Sequence, residues 1–63
     1  MKTYEEREYI KDLSMIMSLL QRASEILDKT EPPTADADDR RAELIDSVEK
    51  SLSLCEKALK DIL

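Results

Sequence analysis

Apolar residues recur along this chain at alternating steps of three and four, in two long stretches separated by Thr30-Glu31-Pro32-Pro33-Thr34. That rhythm belongs to amphipathic α-helices that turn one face to a neighbour. In the first stretch the stripe is Tyr9, Leu13, Ile16, Leu20, Ala23 and Leu27. Ile10 and Met17 widen it on one side, and Met15, Leu19 and Ile26 widen it on the other. The remaining face holds Arg7, Lys11, Ser14, Ser18, Gln21, Arg22, Glu25 and Lys29. In the second stretch the seam is Ile45, Val48, Leu52, Cys55, Leu59 and Ile62, a heptad rhythm flanked by Leu44, Ser51 and Ala58, with Leu54 further round. Small residues at Ser47, Ser51 and Ala58 leave room for another helix to approach.

Local signals fix the ends. Thr3-Tyr4-Glu5-Glu6 has the form of a capping box, with a hydroxyl for the amide three residues on and a glutamate that reaches back. Pro32 pushes its predecessor out of the α region and stops the first helix. Thr34 and Asp36 are both candidate N-caps for the second helix, and Asp36, Asp38 and Asp39 place negative charge at its positive dipole end. The expected fold is all-α, a single hairpin domain over residues 1–63. It has one helix over about residues 4–30, a turn at 31–34 and a second helix over about 35–62. So short a connection makes the helices antiparallel neighbours. Four i,i+4 pairs with the acid first are expected on the outer faces: Glu25–Lys29, Asp36–Arg40, Asp46–Lys50 and Glu56–Lys60.

Size changes the picture. A compact chain of 63 residues removes roughly 6,000 Å² from water, which stabilises by about 90 kcal/mol if somewhat over half is apolar. Ordering the chain costs about the same. A hairpin is a rod and buries less than a sphere, so a lone hairpin is expected to be marginal. The apolar sector of the first helix also exceeds the ~100° stripe that one partner helix covers. Both arguments call for a second interface, and the simplest is a second copy that completes a four-helix bundle. A two-fold axis places one patch against itself, and the broad sector of the first helix is the expected patch.

Composition narrows the chemistry. The chain has no Gly and no His, one Cys, 40% charged residues and a net charge of −5. Without Gly there is no phosphate-holding loop, and without His the commonest general base and metal ligand is missing. One Cys with no His cannot make a structural zinc site. Carboxylates are abundant, but the seams are built of Leu, Ile, Val and Ala. Cys55 sits between Leu52 and Leu59 and is read as a small core hydrophobe. No catalytic, cofactor-binding or metal-binding residue is expected, and the chain is read as a non-enzyme. The acidic balance argues against a nucleic-acid backbone as partner. No apolar run approaches the ~18 residues of a membrane span, so a cytoplasmic protein without membrane contact is expected.

In architecture the chain resembles the Rop family of plasmid copy-number regulators. Those are also small acidic helical hairpins that dimerise into four-helix bundles, with heptad seams and Cys in the core. The resemblance implies a homodimer and, in that family, binding of paired RNA loops by polar and basic residues and a Phe of the first helix. Here the first helix has neither Phe nor Asn, and Ser14, Ser18 and Glu25 interrupt an outer face that holds Lys11, Gln21, Arg22 and Lys29. No RNA-contacting residue carries over.

The functional expectation is a small non-enzymatic interaction module, an adaptor, regulator or inhibitor, that works as a homodimer and presents a helical face to a larger protein. The expected partner or dimer interface is Met15, Leu19 and Ile26, with Arg22 and Glu25 beside them. Two alternatives stand next to it. One is a Rop-like RNA- or DNA-binding dimer. The other is an acidic decoy that inhibits a nucleic-acid-binding protein through Asp36, Asp38, Asp39, Glu43 and Asp46.

Overall fold

A computed structural model describes residues 1–63 as two α-helices, α1 (Tyr4–Lys29) and α2 (Ala35–Ile62), folded against each other as a hairpin. The molecule is a rod of 52 × 15 × 12 Å. Its radius of gyration is 15.1 Å, against about 11 Å for a globular chain of this length. No helix is long and apolar enough to cross a membrane.

Each helix starts where its capping residues place it. The Glu6 amide donates to the Thr3 hydroxyl at 3.2 Å, and the Thr3 amide donates to Glu6 Oε1 at 3.0 Å. That is the complete capping box, and it satisfies two amides that the first turn leaves without partners. At α2 the cap is Thr34, whose hydroxyl accepts from the Ala37 amide at 3.1 Å. Thr34 takes an extended conformation (φ −137°, ψ 165°), which leaves Asp36 inside the first turn, where its charge complements the helix dipole.

The helix ends are built differently, because the chain has no glycine. No residue has positive φ, so the usual left-handed C-terminal cap is absent. Thr30 instead leaves α1 in an extended conformation (φ −74°, ψ 129°), one residue before the expected end. The last carbonyls of α1 then need other donors. The Thr30 hydroxyl donates to the Ile26 carbonyl at 2.7 Å, and the Thr30 amide donates to Leu27 at 3.2 Å. Arg41, nearly two turns into α2, donates its Nε to the Leu27 carbonyl at 2.7 Å and its Nη2 to the Asp28 carbonyl at 3.3 Å. At the other end of the rod the Lys2 ammonium donates to the carbonyl of Ile62. Each helix C-terminus is therefore closed by a cation from the start of the other helix, where positive charge also complements the dipole.

The helices meet along one line on each. On α2 the half-buried residues include the whole expected seam: Ile45, Val48, Leu52, Cys55, Leu59 and Ile62. On α1 the contact line is Glu6, Ile10, Leu13, Met17, Leu20, Ser24 and Leu27, and Leu13 is the one buried residue of the chain. This corrects the expected stripe. Tyr9 and Ile16, assigned to the hairpin seam, are 46% and 44% exposed. The stripe read from the sequence is the middle of a sector wide enough for two neighbours, and a single neighbour occupies only the Ile10–Met17 flank.

The surface ion pairs are fewer than the spacing suggests. Asp46–Lys50 forms at 3.0 Å. Arg40 turns to Glu43 at 3.1 Å rather than to Asp36. Glu25–Lys29 and Glu56–Lys60 do not form. At such exposed sites a pair is worth only a few tenths of a kcal/mol, against the side-chain entropy it costs.

Two outcomes follow from the end structures. Arg41→Met keeps the apolar stem and removes the guanidinium, so it should cost about 1 kcal/mol in urea denaturation and speed amide exchange in the last turn of α1. Unchanged stability and exchange would mean that water caps those carbonyls equally well. The Glu6 carboxyl is held below its ordinary value by the Thr3 backbone amide first and the Thr3 hydroxyl second, with Lys2 adding a weaker attraction that burial opposes. A depressed folded-state value means that its contribution is fully present above about pH 4.5 and fades as pH falls through the folded value. Glu6→Gln keeps an acceptor there without the charge, so it should lose less helicity than the parent between neutral pH and about pH 3, measured by circular dichroism. Equal losses would remove the carboxylate from the account.

Candidate functional site

Exposed apolar side chains, rather than polar clusters, are the conspicuous surface feature. Most of those within the helices fall on two lines, which the helical period of about 100° per residue separates, while Leu54 stands alone among polar residues on the outer face of α2.

The first line fills one side of the hairpin. Helices that run in opposite directions point surplus residues to the same side when the surplus is rotated in the same sense from each seam. Here it is. Tyr9, Ile16 and Ala23 of α1 and Leu44, Ser51 and Ala58 of α2 share a flat face along the groove between the helices. The register comes from the Arg41–Leu27 contact near the turn. Stepping back along α1 and forward along α2 sets Ala23 level with Leu44, Leu20 with Val48, Ile16 with Ser51, Leu13 with Cys55 and Tyr9 with Ala58. The next step sets Glu6 level with Ile62, and the long Lys2 side chain reaches that carbonyl from about one turn further along. Four of these five levels set a large side chain beside a small one, and small Ala23, Ser51 and Ala58 are half-buried while large Tyr9, Ile16 and Leu44 are exposed. The result is a face of apolar knobs and gaps, repeated each heptad.

The second line runs along the back of α1, away from α2. Met15, Leu19 and Ile26 lie within about 40° of one another there and are 56%, 67% and 57% exposed. Arg22 lies on the same line, and Glu25 is displaced from it toward the polar flank. Four of the five residues assigned to an interface from the sequence therefore share a ridge, with Glu25 beside it, and this ridge is not the groove face. Lys11, Ser14, Met15 and Ser18 stand at i, i+3, i+4 and i+7 and, with Leu19, border a shallow apolar depression. Four residues at that spacing form the hole that receives a side chain from a packed helix.

Polar chemistry is sparse. No group of three or more Asp, Glu, Cys or His side chains gathers where an ion could bind. No buried polar side-chain atom lacks a hydrogen-bond partner. Cys55 is unpaired and half-buried, level with Leu13. The acids considered for a decoy role include Asp36, Asp39 and Glu43, which with Arg40 border an open, wholly polar surface at the start of α2.

Sequence reasoning missed two things. It gave Arg41 no role, whereas Arg41 closes α1. It also merged two apolar lines of α1 into one broad sector. A signal for each was present: Arg41 stands at an α2 seam position, four residues before Ile45, and a chain without glycine needs a donor for its helix ends.

Comparison with known proteins adds no relative: the chain matches no family model, no curated protein and no solved structure.

Proposed function

We propose that the chain is a small non-enzymatic protein-interaction module that works as a homodimeric four-helix bundle, with the groove face against a second copy and the α1 ridge left for a larger protein. One observation carries this reading. The hairpin exposes 5173 Å². A compact monomer of 7.3 kDa exposes about 4,200 Å². The surplus of about 1,000 Å² slightly exceeds the ~800 Å² that each partner contributes to a standard interface.

The groove face has the composition such an interface needs. It is apolar, continuous and free of charge along Tyr9, Ile16, Ala23, Leu44, Ser51 and Ala58. A second hairpin related by a two-fold axis offers the same knobs and gaps in return. Burial there moves Tyr9 and Ile16 into the interior, where the expected stripe put them. Leu13 and Leu20 then lie between two neighbours rather than one. The ridge of Met15, Leu19, Arg22, Glu25 and Ile26 points outward from this assembly and remains available.

The test is the mass of the native assembly, read with helicity. The parent chain should run at twice 7.3 kDa and lose helix on dilution. Ile16→Asp puts a charge in the groove and should abolish the dimer and most of the helicity, while Leu19→Asp should leave both intact. A helical 7.3 kDa species that persists at millimolar concentration would overturn the dimer.

A further inference from the structure

We propose that the α1 ridge docks an amphipathic helix of another protein, one whose apolar seam is bordered by carboxylates. This deepens the interaction-module reading by naming the chemistry of the partner.

The ridge has the dimensions of a seam for one helix. Met15, Leu19 and Ile26 are spaced at heptad intervals and confined to about 40°, whereas one packed helix covers a stripe of ~100°. The depression bordered by Lys11, Ser14, Met15 and Ser18 receives one side chain, and the small serines keep it open. Ser14 is folded back on its own helix, with its hydroxyl donating to the Ile10 carbonyl at 2.9 Å, so its polar atom is already satisfied when an apolar group arrives.

Charge selects the partner. Lys11, Arg22 and Lys29 line the flank of the ridge that faces away from the groove. None of them makes an ion pair or a side-chain hydrogen bond. Arg40 and Lys50 pair with neighbouring acids and Lys2 and Arg41 close helix ends, whereas Arg7, Lys57 and Lys60 are unpaired like the three ridge cations but do not border an apolar line. The chain as a whole carries −5, so this positive edge opposes the sign of the rest of the surface. A helix with carboxylates along the matching flank pairs with three free cations and buries its seam on Met15, Leu19 and Ile26. A lipid surface fits less well, because the apolar strip is narrow and the net charge repels anionic headgroups.

The probe is a synthetic helical peptide with Leu at its seam and Glu on the one flank that meets Lys11, Arg22 and Lys29, opposite the flank bordered by Asp12, compared with the same peptide carrying Lys there. Titration into the full chain should give a dissociation constant roughly tenfold lower for the Glu peptide, with the difference shrinking as salt rises. Leu19→Glu should weaken the Glu peptide by at least about tenfold, and Arg22→Glu should narrow or reverse the preference between peptides. Both variants should stay helical, since both positions are exposed. Equal affinity for the two peptides, absence of binding at low salt, or an unaffected Leu19→Glu variant would each overturn the proposal. So would tighter binding to phosphatidylserine vesicles than to the Glu peptide, or a native mass that halves in Leu19→Glu, which would give the ridge to a second copy. The dimer is judged separately by mass, so a monomeric chain that still prefers the Glu peptide retains this proposal and loses only the bundle.

Discussion

Two straight helices can hide only one flank each. That geometric limit governs this molecule. A helix presents about 100° of its circumference to a single neighbour, and α1 carries apolar residues over more than half of its own. The hairpin uses the Ile10–Leu13–Met17–Leu20 flank and leaves the rest in water. Leu13 alone is buried, because it lies near the centre of the contact line and away from the ends of the rod. Residues displaced from that line by half a helical step, such as Tyr9 and Ile16, are already near half exposed. The burial pattern is thus the direct consequence of an apolar sector wider than one neighbour can cover.

The ends of the rod obey a second constraint. A glycine-free chain has no easy left-handed residue with which to turn back on its last carbonyls. The hairpin closes with two prolines and extended residues, and the unsatisfied carbonyls of each helix are met from the other helix. Arg41 and Lys2 therefore do two tasks: each caps a terminus, and each ties α1 to α2 at a fixed height. With both ends pinned, slippage by one heptad would break both closures together. This complements the apolar seam, whose Leu, Ile and Val side chains tolerate more than one register.

Much of the fold was legible from the sequence because its signals are local. Thr3 and Glu6 specify a cap within four residues, Pro32 stops a helix by itself, and the α2 seam is narrow enough to have one reading. The α1 contact line was not legible, because periodicity gives the mean direction of an apolar sector and says nothing about how neighbours divide it. Arg41 was missed for a related reason. Its role depends on the height at which α2 passes the end of α1, which is a property of the folded hairpin. Four of the five candidate interface residues, Met15, Leu19, Arg22 and Ile26, lie on one helical face, and that grouping follows from periodicity alone. Their separation from the groove face required knowing where α2 lies.

The division of α1 into three lines gives its residues separable jobs. Met17 and Ile10 face the partner helix, Ile16 and Tyr9 face the groove, and Leu19 and Ile26 face away from both. Neighbours in sequence thus belong to different contacts: Ile16 and Met17 lie about 100° apart, as do Leu19 and Leu20. A broad apolar helix in a small acidic hairpin is a liability if one contact is meant, because the uncovered remainder invites nonspecific association. It is coherent if each line has its own neighbour. Charge is distributed in the same sense. Cations border the outer line, none interrupts the groove levels between Tyr9–Ala58 and Ala23–Leu44, and Arg41 closes the groove at its turn end. The polar residues divide the apolar surface at the same places where the helical geometry does.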